Sequence, residues 1–128
     1  AKSGHIETGL AFLVDIRASQ MNGCAFCLDM HVKEAKRHGE RELRLYHVAI
    51  WRESPLFTPK ERAALAWTEA LTLISETHAP DDVYDEVRKH FSEQETVNLT
   101  MLIGMINLWN RFAISMRNVH PVTQAQAA

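Results

Sequence analysis

The sequence predicts an all-α fold, a single bundle-like domain of about six helices spanning residues 1–128, with a core from about 9 to 117. Three observations lead there. Apolar residues recur at helical spacing along most of the chain, two of the longest stretches open on capping boxes, and no run alternates with period two as a half-buried strand would. "GLAFLVDIRASQ" reads as a helix over about 9–20, and "MNG" breaks it, because Asn and Gly tolerate turn dihedrals. A second helix begins near Cys24 and runs to Gly39, a residue suited to the position after a helix C-terminus. "ERELRLYHVAIW" forms a third, stopped by "ESP". Thr58, Pro59 and Glu61 form a capping box with a proline starter, which predicts a fourth helix over about 59–77. "PDDVYDEVRKHF" is short, with Asp81 and Asp82 at its positive end and Arg88, Lys89 and His90 at its negative end. Ser92 and Glu95 repeat the box and open a last helix of some seven turns, apolar nearly all round from Leu99 to Leu108, as expected of a central helix or a subunit interface. Residues 118–128 are expected to fray.

Bulk properties narrow the function. At 128 residues, 46% apolar and 23% charged, the chain can bury a core without staples. A net charge of −2 gives no reason to expect nucleic acid or an anionic membrane as partner. No apolar run approaches the ~20 residues that span a bilayer, and no basic segment precedes a hydrophobic one, so a cytoplasmic location is expected.

The chemistry concentrates in "GCAFCLDMH", residues 23–31, which holds both cysteines of the chain. Cys24, Cys27 and His31 stand at i, i+3 and i+7, one stripe of a helix. Haem attachment is excluded, since that motif needs His directly after the second Cys and Leu28 stands there. Structural zinc needs four ligands, and the other histidines are scattered singly. Two packing cysteines beside an incidental histidine are the bland alternative. Redox chemistry asks least: a helix start favours the thiolate, and a histidine one turn on accepts its proton. The dipole favours Cys24 as the activated sulfur and the base favours Cys27; spacing alone leaves that open.

"SQMNGCAFCLDMHVKEAKRHGE" resembles the signature of the alkylhydroperoxidase D-like branch of the carboxymuconolactone decarboxylase family. "LYHVAIWRESPLFTPKERAALAWTEALTLI" and "INLWNRFAIS" are similar to short members of that branch. The resemblance implies an all-α fold, assembly into homo-oligomers (trimers or hexamers), and thiol-dependent reduction of an organic hydroperoxide or hydrogen peroxide. It implies Cys27 as the peroxidatic sulfur, Cys24 as the resolving one and His31 as the proton relay. A dithiol donor, such as a lipoyl-bearing protein, would reduce the resulting disulfide; no cofactor and no metal is assigned.

The chain departs from the pattern in two places. The relay glutamate that relatives carry twelve residues before the first cysteine is Phe12 here, and a histidine some carry before the second is Phe26. An apolar ring cannot carry a proton, so another carboxylate is sought. Glu69, in "WTEALT", is the first candidate; Glu61 is explained as a cap, and Glu53 beside Trp51 is a third. Asn107 and Asn110 are expected to make interhelical hydrogen bonds, Trp51, Trp67, Trp109, Met101, Met105 and Met116 to pack in core or interface, and Arg17, Lys33, Arg37 and Arg41 to face solvent. Two rivals to a peroxide reductase stand: a lactone decarboxylase, whose chemistry needs no paired sulfurs, and a non-catalytic redox-sensing oligomer, which Phe12 favours.

Overall fold

A computed structural model describes residues 4–122. Seven α-helices follow in order: α1 (Thr8–Asn22), α2 (Ala25–Arg37), α3 (Glu42–His47), α4 (Pro59–Thr72), α5 (Ile74–Thr77), α6 (Asp81–His90) and α7 (Glu93–Ser115), with a 3₁₀ segment Val48–Glu53 after α3. Among the described residues there is no strand, and no helix is long and apolar enough to cross a membrane. The expected tail falls mostly outside the described residues.

The hydrophobic effect explains why α1 is central. Leu10, Leu13, Val14, Ile16 and Ala18 are all buried, too many directions for one apolar stripe, and the helix packs against α2, α4 and α7 at once. Leu65 of α4 and Leu99 and Ile103 of α7 close the core around it. Both capping boxes form as expected, Thr58 with Glu61 and Ser92 with Glu95.

Three expectations are corrected. The third helix does not run through to Trp51: Ile50 leaves helical dihedrals, which turns the Trp51 ring into the core. The fourth helix does not reach 77, but stops at Thr72; the Thr77 hydroxyl then donates to the Ala70 carbonyl, meeting an acceptor freed at the break. Arg17 is not a solvated side chain, since its guanidinium donates to Glu69 and Gln20. The last helix is apolar on both sides but buried on one. Leu99, Ile103, Ile106, Asn110 and Ala113 face inward, while Met101, Met105, Leu108, Trp109 and Phe112 are exposed on the single chain.

Candidate redox site

The site begins where α1 ends. Gly23 adopts the left-handed conformation (φ 69°, ψ 33°), its N–H donates to the Gln20 carbonyl (3.2 Å), and the Cys24 N–H donates to the Ser19 carbonyl (3.0 Å). That is a Schellman ending, which needs glycine at the positive φ. Cys24 is also the N-cap of α2: its backbone is extended, its carbonyl accepts from Leu28 N–H (2.9 Å), and its Sγ accepts from Cys27 N–H (3.2 Å). One residue therefore closes one helix and opens the next. Cys24 stands outside the helical stripe expected of it, in the cap position usually held by Ser or Asp.

From that cap the two cysteines meet. They are joined by a disulfide, with Cα atoms 5.3 Å apart. Each is only 2% exposed, yet they are not equivalent. Cys27, not Cys24, lines a cleft of about 250 Å³ walled by Phe26, Met30, Trp109, Phe112, Ala113 and Met116. Its Sγ lies 3.9 Å from the Trp109 carbonyl oxygen.

An amide cluster ties the cysteine turn to α7. Asn22 Nδ2 donates to the side-chain oxygens of Asn107 and Asn110 (2.9 Å each), Asn110 donates to Ser19 Oγ (3.1 Å), and Asn107 donates to Thr72 Oγ1 (3.1 Å). Asn110 is fully buried, so these partners supply what solvent cannot. The two asparagines thus make the interhelical bonds expected of them.

His31 lies one turn beyond Cys27 on α2. Its Nδ1 faces two carboxylates, Glu34 Oε1 at 3.2 Å on the same helix and Asp15 Oδ2 at 3.6 Å across the hairpin on α1. Neither contact is an aligned hydrogen bond; Nδ1 is buried and has no hydrogen-bond partner. Burial lowers the His31 pKa, and the nearby Glu34 carboxylate opposes the fall. Burial, and then the Glu34 charge, push Asp15 up to about 7.

Glu69 sits elsewhere in the bundle. Its oxygens accept from Arg17 Nε (2.9 Å), Trp51 Nε1 (2.9 Å) and Arg52 Nη1. Burial acts to raise its carboxyl, but hydrogen bonds from Arg52, Trp51 and Arg17 outweigh it and hold the group below the usual range. The carboxylate that a second helix brings to His31 is Asp15. Two signals in the sequence point to it: an acid between Val14 and Ile16 in an apolar run, and a position as far before Gly23 as His31 lies after it. Phe12 falls one turn further from the hairpin's bend, where its ring packs edge-on against His38 with centroids 5.6 Å apart. Among the described residues, no cluster of three or more His, Cys, Asp or Glu side chains could hold a metal ion.

Residues 1–70 match the model of the carboxymuconolactone decarboxylase family. The chain belongs to that family. It is 47% identical over 117 residues to the uncharacterized protein YdfG of Bacillus subtilis, covering 91% of this chain and 80% of YdfG. A crystal structure from Agrobacterium tumefaciens superposes with a TM-score of 0.90 at 49% identity, covering 92% of this chain and 81% of the other. That neighbour, of unknown function, is described as a candidate AhpD antioxidant defence protein, and the likeness puts this chain in the alkylhydroperoxidase D-like branch. A debrominase shares the fold alone, with a TM-score of 0.79 at 22% identity over 95% of this chain; this chain spans 64% of the debrominase. The family is one of enzymes.

Proposed function

We propose that this family member is a thiol-dependent hydroperoxide reductase. One observation supports the reading above the others: a closed Cys24–Cys27 disulfide whose second sulfur opens on an apolar cleft, one helical turn from His31. In the reduced protein, His31 takes the Cys27 thiol proton. The thiolate attacks the peroxide, forming an S–O bond and breaking O–O, and His31 returns the proton to the departing alkoxide. The Cys24 sulfur then attacks the Cys27 sulfenic acid, the S–S bond forms, and hydroxide leaves as water with the Cys24 proton. One peroxide becomes an alcohol and water, and two thiols become the disulfide. An external dithiol, such as a lipoyl group, restores them by exchange.

The cleft favours a peroxide with an apolar substituent over hydrogen peroxide. Each methylene buried there is worth about 0.8 kcal/mol, or roughly fourfold in kcat/KM. The open apolar side of α7 supports assembly with copies of the same chain, as trimers or hexamers, around a single-domain protomer. Regeneration by a dithiol fits the cytoplasm.

The test is steady-state peroxide consumption with a dithiol donor. Activity is expected to rise from hydrogen peroxide through tert-butyl to cumene hydroperoxide. Cys27→Ser is expected to fall to background, and Cys24→Ser to stop after one turnover with a sulfenic acid on Cys27. Full activity in Cys27→Ser would reverse the roles given to the sulfurs. A single oxidation without turnover in the wild type would favour the redox sensor instead.

A further inference from the structure

Phe12 removes the relay carboxylate that the family resemblance leads one to expect, and the fold supplies a different one. The α1–α2 hairpin bends at Gly23, so α2 runs back along α1 and side chains at similar depths can meet across it. Asp15 and His31 are such a pair, and their side chains are 14% exposed each. We propose that Asp15 is a positioning residue for the redox site: its carboxylate holds the His31 ring through Nδ1 and leaves Nε2 as the base that takes the Cys27 proton. This rests on the reading of Cys27 as the attacking sulfur.

Three observations carry it. The Nδ1 atom is buried without a hydrogen-bond partner, which is costly unless the ring has a charged group to answer it. Asp15 Oδ2, at 3.6 Å, approaches that same atom from a second helix. Cations on α1 and on elements packed against it have other partners. Arg17, two residues along α1, is bonded to Glu69 and Gln20; Arg52 of the 3₁₀ segment is bonded to Glu69; and Arg111 of α7 donates to Asn107. Glu34, the other group facing Nδ1, is closer at 3.2 Å and acts on the ring too, but it is on the ring's own helix and more than a third exposed, so water weakens its pull.

The consequence concerns the proton. An ionised Asp15 stabilises the imidazolium that forms when Cys27 gives up its proton, and so favours the thiolate. Asp15 ionises near neutral pH, so thiolate formation gains support as the pH passes about 7.

The experiment reads the thiol directly. In the full chain carrying Cys24→Ser, which leaves one thiol, the rate of iodoacetamide alkylation of Cys27 is followed from pH 5 to 10, with circular dichroism to confirm the fold. Asp15→Asn is expected to slow alkylation at pH 7 about tenfold and to displace the profile upward by about one to two pH units. Asp15→Glu is expected to recover most of the rate, and Glu34→Gln to change it less than about threefold. An unshifted Asp15→Asn profile, or a shift in Glu34→Gln alone, would overturn the proposal. Should Asp15→Asn not fold, the Cys24→Ser profile itself decides: it is expected to carry an inflection near pH 7 from Asp15 beside that of the thiol, and a curve that follows the thiol alone would overturn the proposal. Alkylation needs no peroxide, so the two readings fail separately. A shifted profile without peroxide turnover sinks the peroxidase alone, and turnover with an unshifted profile sinks the role of Asp15 alone.

Discussion

Asp15 and Glu69 are nearly equally buried, with side chains 14% and 15% exposed, yet they titrate in opposite directions. Partners make the difference. Glu69 accepts from two guanidinium groups and an indole, whereas Asp15 faces an imidazole and a second carboxylate. A carboxylate so fully engaged serves the scaffold, tying α1, the 3₁₀ segment and α4 together. Glu69→Gln is therefore expected to cost about 1–3 kcal/mol in chemical denaturation, leaving buried donors half-paired, and to leave the pH profile of Cys27 alkylation in place. A displaced profile would return Glu69 to the proton path. In the sequence, acids beside aromatic and capping motifs stand out as relay carboxylates, whereas the facing of 15 and 31 depends on where the hairpin bends, which becomes readable only once Gly23 is taken as its centre.

At the scale of elements, the turn between α1 and α2 does the organising. "MNG" was legible as a break, because Asn and Gly tolerate turn dihedrals, and both capping boxes were legible from hydroxyl and glutamate spacing. The capping role of Cys24 was not, since sulfur is a weak acceptor and cysteine is not among the usual N-caps. The breaks at Ile50 and at Leu73 were hidden for another reason: neither has Gly or Pro beside it, and packing of Trp51 and a side-chain bond from Thr77 set them. Gly23 carries the turn at φ 69°, with no atom within 4 Å of where a Cβ would sit. Crowding is thus absent, and Gly23→Ala is expected to lose only the backbone term, about 1 kcal/mol and a few degrees in Tm. A loss several times larger would mean that the turn also bears load through the amide cluster of Asn22, Asn107 and Asn110.

For the whole molecule, the same hairpin links the candidate site to stability. Asp15 binds its proton more tightly folded, near 7, than its ordinary value of 3.8, so the folded state holds more protons between those values. The stability this group contributes is complete below about pH 4 and is lost as the pH rises through about 7. His31 runs the other way. Its folded value lies below 6.5, so its contribution is present above that pH and is lost as the pH falls. The two partly cancel in the acid range, and wild-type stability alone does not separate them. Asp15→Asn does, because it removes one titration and keeps the shape. Urea midpoints of the oxidised protein are expected to show Asp15→Asn more stable than wild type at pH 8, by on the order of 2–3 kcal/mol. The gap should close as the pH falls toward 4, where the wild-type carboxyl is protonated as well. A variant less stable than wild type at pH 8 would mean that an ion pair with His31 outweighs the burial of the charge. A gap independent of pH would remove Asp15 as its source. If the gap does close, the molecule gives up stability at neutral pH to keep an ionised carboxylate beside the imidazole, a trade that packing alone gives no reason to retain.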